Sequence, residues 1–400
     1  MKICVITFQF PPEINGGVGT AVHRITRNLV TSGVQIHVIA PGVHSPEATF
    51  TASQERDITV HRTCQGLGHH FGDPMHLRSI GNYVSRLQDR ERFDIIHGFF
   101  LTPAGYLAVM LSREIGVPAI VSIRGSDIEL HRYQPVLFGA VKWTLENASF
   151  VTSVARTLLD SACSFADIKK KKVIRNAVDL NLFDDRAINK IVSTRGGMRN
   201  LIFLKRLMRE KIKGKLIIGT ASILRPAKGF SILIDAFEAL QQRHTESHLL
   251  VVGDFAAPEE RRSWLKELKK RKLIRKVSIT GRVPHDEVLS WMKLMDIFVL
   301  PSLYEGSPNA VLEAMACRKP VVVSAIDGVV DIIEDGIDGL LVPPGSSNCL
   351  YKSLMRLVEN QNLRKKLGMA AERKIQDCFS PKSETEIWLE VYRQVMESEK

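Results

Sequence analysis

The residues best suited by type and spacing to do chemistry lie in the run Pro301-Ser302-Leu303-Tyr304-Glu305-Gly306-Ser307-Pro308-Asn309-Ala310-Val311-Leu312-Glu313-Ala314-Met315-Ala316. It starts where an apolar run, Ile297–Leu300, ends, and it leads into a helical stretch. Ser307 reads as a helix N-cap and Pro308 as the first helical position. A helix N-terminus entered through a glycine-containing loop attracts an anion such as a phosphate. Glu305 sits in that loop beside Gly306, and Glu313 falls about one and a half turns into the helix, where it can point back along it. Two glutamates at this spacing would also arise by coincidence on a solvated helix. A glutamate next to a glycine, in a loop that must host an anion, is less easily dismissed.

Three further groups could join such a site. Arg225 and Lys228, in Ala221-Ser222-Ile223-Leu224-Arg225-Pro226-Ala227-Lys228-Gly229, follow a strand-like run and precede a helix, as a diphosphate clamp would or as surface charges would. Gly16-Gly17-Val18-Gly19 allows close approach of a ligand to the backbone, or serves only as turn chemistry. His97 in Ile95-Ile96-His97-Gly98, and Arg124 with Asp127 in Ser122-Ile123-Arg124-Gly125-Ser126-Asp127, end two other strand-like runs. His97 fits an acceptor contact or a hydrogen-bonded strand-end histidine, and Arg124 with Asp127 an acceptor site or an ion pair. His69, His70 and His76 lack the neighbouring cysteines or clustered acids of a metal site, and the chain has no Asp-x-Asp pair to hold a divalent ion. No metal and no organic cofactor is therefore expected. A nicotinamide dinucleotide would want GxGxxG and an acidic residue ending the second strand, which here ends Ala40-Pro41-Gly42.

The elements that must hold these groups alternate in type. Lys2–Phe8, Val34–Ala40, Phe93–Ile96, Ala119–Ile123 and Phe150–Val154 are β-branched runs separated by helical periodicities, of which Val18, Val22, Ile25 and Leu29 within Val18–Ser32 are one. A second series follows: Leu216–Ala221, His248–Val252, Val277–Thr280, Ile297–Leu300 and Pro320–Ser324. Alternating βα units predict an α/β protein with two doubly wound, parallel-sheet, Rossmann-like domains, at 1–183 and 216–383, joined by a basic segment at 184–215. Ligands bind beyond the carboxyl ends of such strands, which places the expected site in a cleft between the domains.

Length and composition agree. Four hundred residues exceed one core, and 44% apolar with 24% charged residues is ordinary for a globular protein. No apolar run approaches a membrane span, and MKICVITFQFPPE reads as a first strand, not a signal peptide. Six widely spaced cysteines without CxxC fit reduced thiols and a cytoplasmic location. The net charge of +12 is local: residues 184–215 hold 10 basic against 3 acidic residues, +7 of the total, which argues against a nucleic-acid-coating surface. Leu201, Leu204, Met208 and Ile212 form a helical stripe there, among Lys205, Arg206, Arg209, Lys211, Lys213 and Lys215. That pattern fits a helix lying on an anionic membrane face or a solvated helix bridging two domains.

Taken in order, these motifs resemble the retaining glycosyltransferases of family 4, which have the two-domain GT-B fold. PPEINGGVG, VIRNAVDLNLF (173–183), LLVVGD (249–254), ITGRVPHDEV (279–288), EGSPNAVLEAMACRKPVVVS and EDGIDGLLVPPG (334–345) carry the likeness over nearly the whole chain. The resemblance implies that Glu305 touches the hydroxyls of a donor sugar, and that the amides around Gly306, Ser307, Pro308 and Asn309 cradle the sugar and diphosphate. It implies that Glu313 holds the ribose, that the loop at Val283 faces the base, and that Gly16 and Gly17 approach the phosphates. Lys228, with Arg225, would stabilise charge on the leaving diphosphate; Glu305, Lys228 and Asp127 are the expected catalytic residues, and His97, Arg124 and Asp127 the expected acceptor-binding ones. The final helix, 384–400, would pack back on the first domain.

The implied reaction moves a sugar from a nucleotide sugar to a hydroxyl of a polysaccharide or lipid-linked precursor, or of a small molecule, without a metal. Three positions depart from the family pattern: Ile223 where a clamp arginine is usual, Arg124 where a histidine is, and Arg318 where a glycine is. Two alternatives stand beside this reading, a nucleotide-sugar epimerase of the same fold and a non-catalytic basic lipid-binding protein.

Overall fold

The computed structural model describes residues 1–12, 17–42, 50–55, 57–64, 73–179 and 212–398. The chain divides into two compact units, Met1–Ala177 with Pro381–Lys400, and Val178–Ser380. The division falls a few residues before the boundary at 183 expected from the sequence, and the C-terminal helix, Pro381–Glu397, begins three residues earlier than expected.

The first unit holds an eight-stranded sheet of β1 (Lys2–Ile6), β2 (Gln35–Gly42), β3 (Phe50–Glu55), β4 (Ile58–Cys64), β5 (Ile95–Phe99), β6 (Ala119–Ile123), β7 (Phe150–Ser153) and β8 (Lys171–Val173). Their spatial order is β3-β4-β2-β1-β5-β6-β7-β8, parallel except for the β3–β4 pair. Every residue of β5 and β6 is buried, as strands covered on both faces must be. In β1 the alternation of side chains feeds two cores. Ile3 and Val5 join Val22, Ile25 and Leu29 of the helix Gly17–Thr31, while Cys4 and Ile6 join Ile80, Val84 and Leu87 of the helix Pro74–Glu91.

The C-terminal helix belongs to this unit. Trp388, Val391, Tyr392 and Val395 recur at helical spacing and are buried in the same cluster as Ile3 and Ile25. Arg24 and Glu384 pair beside them.

The second unit holds six parallel strands: β9 (Leu216–Ala221), β10 (Ser247–Val252), β11 (Val277–Ile279), β12 (Ile297–Leu300), β13 (Val321–Ser324) and β14 (Leu340–Val342). The order is β11-β10-β9-β12-β13-β14. In β12, Phe298 and Leu300 enter one core and Ile297 and Val299 the other, so this sheet too is covered on both faces. The β3–β4 hairpin, β8 and β14 extend the sheets beyond the strands expected from the sequence.

The basic residues Lys205, Arg206, Arg209 and Lys211, with most of their apolar stripe, lie outside the described residues. Ile212, the last member of that stripe, is buried in the core of the second unit. Among the described residues no helix is long and apolar enough to cross a membrane.

Candidate active site

In the second unit, the loops that leave the carboxyl ends of the strands are held against one another by glycines. Gly229 has φ +65°, and a Cβ there would lie 2.0 Å from the carbonyl oxygen of Pro301. Gly328, at φ +78°, would place a Cβ 2.0 Å from the Gly306 carbonyl oxygen and 2.8 Å from that of Glu305. Only glycine tolerates both the dihedral and the approach. The amide of Leu303 donates to the Ala227 carbonyl (2.8 Å), tying the Lys228 turn to the Glu305 loop.

This packing brings Lys228 onto Glu305: its ammonium donates to Glu305 Oε1, and Ser302 Oγ donates to the same oxygen at 2.8 Å. Both charged side chains are partly exposed, so the pair faces out of the fold. The next residues enter the helix Asn309–Ala316. Pro308, not Ser307, is its cap residue, because Pro308 keeps ψ at 94° and leaves Asn309 as the first helical position; no side chain caps the helix. The expected N-cap at Ser307 is thus displaced by one residue. The positive end of the helix remains beside Gly306, where it favours an anion. Glu313 lies one turn into this helix and is half-buried.

Arg225 is exposed at the start of the short turn Pro226–Lys228. Val283 packs its side chain partly against the core of the second unit. In the first unit Gly17 opens the first helix, exposed, while Gly16 lies outside the described residues. His69 and His70 also lie outside them.

The acceptor residues expected in the first unit come out differently. His97 is 0% exposed. Its Nδ1 meets Tyr392 Oη of the C-terminal helix at 2.9 Å and its Nε2 meets Ser122 Oγ at 2.8 Å, with Ser122 in turn 2.6 Å from Thr152 Oγ1. Both ring nitrogens are engaged and burial pushes the imidazole down to about 3, so His97 is a neutral packing residue, not an acceptor ligand.

Asp127 is also 0% exposed. Its carboxylate accepts from the backbone amides of Leu101 (3.2 Å), Arg124 (3.0 Å) and Gly125 (2.7 Å). Burial raises its pKa while these amides and His131 oppose the rise. Asp127 therefore shapes the loop after β6; as a catalytic group it is corrected to a positioning residue. The ion pair with the Arg124 side chain is absent too, because the contact runs to the Arg124 amide. Arg124 itself lies over the Phe99 ring at 5.6 Å and donates from Nη2 to Asn176 Oδ1 at 2.9 Å. Ser302, Asn176 and Gly328 were given no role in advance; Ser302 and Asn176 stood inside quoted motifs, whereas Gly328, between Asp327 and Val329, stood in none.

Two parallel α/β sheets, one of them leading into a cation–carboxylate pair set ahead of a helix that no side chain caps, form the frame of the candidate site. Comparisons with known proteins define the class of enzyme. Residues 205–374 match the family Glycosyl transferases group 1, and residues 15–182 match Glycosyltransferase Family 4. The chain belongs to the family 4 glycosyltransferases, with the GT-B fold.

It is 26% identical over 384 residues to the putative teichuronic acid biosynthesis glycosyltransferase TuaC of Bacillus subtilis, covering 90% of each chain. It is 22% identical to the N-acetyl-alpha-D-glucosaminyl L-malate synthase of Bacillus anthracis, covering 96% of each. Among solved structures it resembles the sucrose-phosphate synthase of Thermosynechococcus elongatus (17% identity, TM-score 0.81, 99% of each chain). It also resembles Anabaena HepE in complex with UDP-glucose (19% identity, TM-score 0.79, 98% of this chain and 100% of that one).

Proposed function

We propose that this glycosyltransferase moves a hexose from a nucleotide-diphosphate sugar to a hydroxyl acceptor, with retention at the anomeric carbon and without a metal ion. The observation that carries this reading is the Ser302–Glu305–Lys228 cluster set directly ahead of the helix Asn309–Ala316. A carboxylate held by two donors from below can accept sugar hydroxyls from above. A cation and a helix N-terminus beside it meet the charge of a diphosphate. HepE, whose structure contains UDP-glucose, supports a nucleotide sugar as the donor. The epimerase and the non-catalytic lipid-binding readings have no observation in their favour.

In this reading Glu305 positions the sugar, the amides of Gly306, Ser307 and Asn309 lie against the sugar and diphosphate, and Glu313 holds the ribose. The backbone at Val283 faces the base, and Gly16, Gly17 and Arg225 approach the phosphates. The bond from the anomeric carbon to the phosphate oxygen breaks, and the acceptor oxygen bonds on the same face. The acceptor proton passes to the departing phosphate, and Lys228 stabilises the negative charge that develops there. Such fixed charges act without reorganising during the reaction, which is where electrostatic catalysis gains most. The acceptor belongs to the first unit in this reading, as a glycan precursor or a small hydroxyl compound; TuaC and the malate synthase are named for one of each kind.

The test is to incubate the enzyme with UDP-, GDP-, ADP- and TDP-sugars and candidate acceptors in EDTA, and to read the product linkage by NMR. An α-linked product from an α-configured donor is expected. A β-linked product, or turnover abolished by chelation, contradicts the proposal.

A further inference from the structure

Arg124 is a buried cation without an ionic partner. It is 7% exposed, and its Nε has no hydrogen-bond partner. Among the described residues no carboxylate lies within salt-bridge distance of its guanidinium. The two carboxylates whose charges act on it are engaged elsewhere. Asp127 is held by the amides of Leu101, Arg124 and Gly125, and Glu384 takes Arg24 on both oxygens. What compensates Arg124 is indirect: the charges of Glu384 and Asp127, neither in contact with it and opposed by Arg24, one Asn176 oxygen at 2.9 Å and the face of Phe99 at 5.6 Å. Burial accordingly weakens its hold on its proton, to about 10, which still leaves it charged at neutral pH.

An arginine kept in this state is a cost to the fold unless something anionic meets it. It stands at the carboxyl end of β6, where ligands of doubly wound sheets bind. The loop behind it is fixed by Asp127 and by Gly125 at φ +132°, so its position is built and not incidental. A guanidinium offers a planar fork that suits a carboxylate or a phosphate, and here its Nε–H is buried without a partner.

We infer that Arg124 is the counter-charge for an acceptor that carries a carboxylate or phosphate close to the hydroxyl receiving the sugar. This rests on the assignment of the acceptor to the first unit, and it narrows that acceptor from any hydroxyl compound to an anionic one.

The experiment uses the full chain, wild type, R124M and R124K. Three readings are taken. The first is thermal stability without ligand. The second is the melting shift with D-glycerate, glycerol 3-phosphate and inorganic phosphate against uncharged glycerol, at fixed ionic strength and with UDP present. The third is donor affinity by titration with UDP-glucose and the other sugar nucleotides.

The inference expects R124M to melt at or above the wild type, since it removes an uncompensated charge. It expects at least one anionic probe to raise the wild-type melting point by roughly 2 °C or more, R124K to keep part of that shift and R124M none, and glycerol to do nothing. Donor affinity should change by less than about threefold, the spread expected when no direct contact is lost.

A ligand-free melting point several degrees lower in R124M would make Arg124 a structural tie and overturn the inference. So would a donor affinity tenfold or more weaker in R124M, which would assign the cation to the donor's diphosphate, or a wild type that answers to none of the anions. Failure of the underlying reading looks different: no sugar nucleotide then binds any of the three proteins, whatever the anions do.

Discussion

Gly328 touches no substrate in this account, yet replacing it should disable the enzyme. A Cβ at this position would lie 2.0 Å from the Gly306 carbonyl oxygen, and contacts inside 3.0 Å essentially do not occur, so the Gly306 carbonyl must retreat by about 1 Å. That carbonyl belongs to the loop that presents Glu305, and a misplacement of about 1 Å in a catalytic constellation is worth about 100-fold in rate. Gly336 supplies the matched control. Its φ of +75° is nearly that of Gly328 at +78°, and a Cβ there meets nothing within 4 Å.

Both Gly→Ala variants carry the same left-handed strain, about 1–2 kcal/mol. That lowers the melting point by roughly 2–8 °C in a unit of this size. Only G328A adds the displacement of the loop. Melting curves, donor titration and initial rates on the two variants separate strain from displacement. G336A should keep its donor affinity and its rate; G328A should lose roughly 100-fold in kcat/KM. If G328A binds and turns over the donor as G336A does, the donor does not lie against residues 305–309 and the reasoning fails.

The first unit supplies two more predictions. His97 is held neutral with its pKa lowered to about 3, whereas an unfolded histidine titrates near 6.5. Stability from this group is complete above pH 6.5 and is lost as pH falls below it, by about 1.4 kcal/mol per pH unit. Urea unfolding at pH 7 and pH 5 should therefore show about 2 kcal/mol more acid loss in wild type than in H97Q; equal losses would refute a neutral buried His97. Trp388→Ala opens a cavity between the C-terminal helix and the sheet of the first unit, and should cost that unit about 3–5 kcal/mol. Calorimetry should resolve a lowered transition for that unit alone, and a single unshifted transition would contradict the docking.

The legible part of the fold was the part buried on both faces. Runs such as Cys4-Val5-Ile6 and Ala119-Ile120-Val121 sit between two helix layers and are apolar throughout, so composition alone marks them. The β3 strand, Phe-Thr-Ala-Ser-Gln-Glu, escaped because it is an antiparallel edge with four exposed polar or small residues in its middle. The same contrast governs the site. That Lys228 and Glu305 come together could be anticipated, because each sits in a loop leaving a strand end. His97 could not, since its partner Tyr392 is 295 positions away and arrives only when the last helix docks. Asp127 was misassigned for a related reason. An acidic residue two positions beyond a strand-end glycine invites a catalytic reading, but it can equally turn back onto the amides of its own loop, as it does here.

The central claim, that Glu305 and Glu313 form a sugar-nucleotide site, is tested most directly by calorimetric titration of the sugar nucleotides, in EDTA, into wild type, E305Q and E313A. We predict saturable binding of at least one sugar nucleotide to the wild type and an affinity roughly 10-fold or more weaker in both variants, the loss expected when a charged hydrogen-bond acceptor is removed. Equal affinity in all three proteins, or binding of none by the wild type, would contradict it.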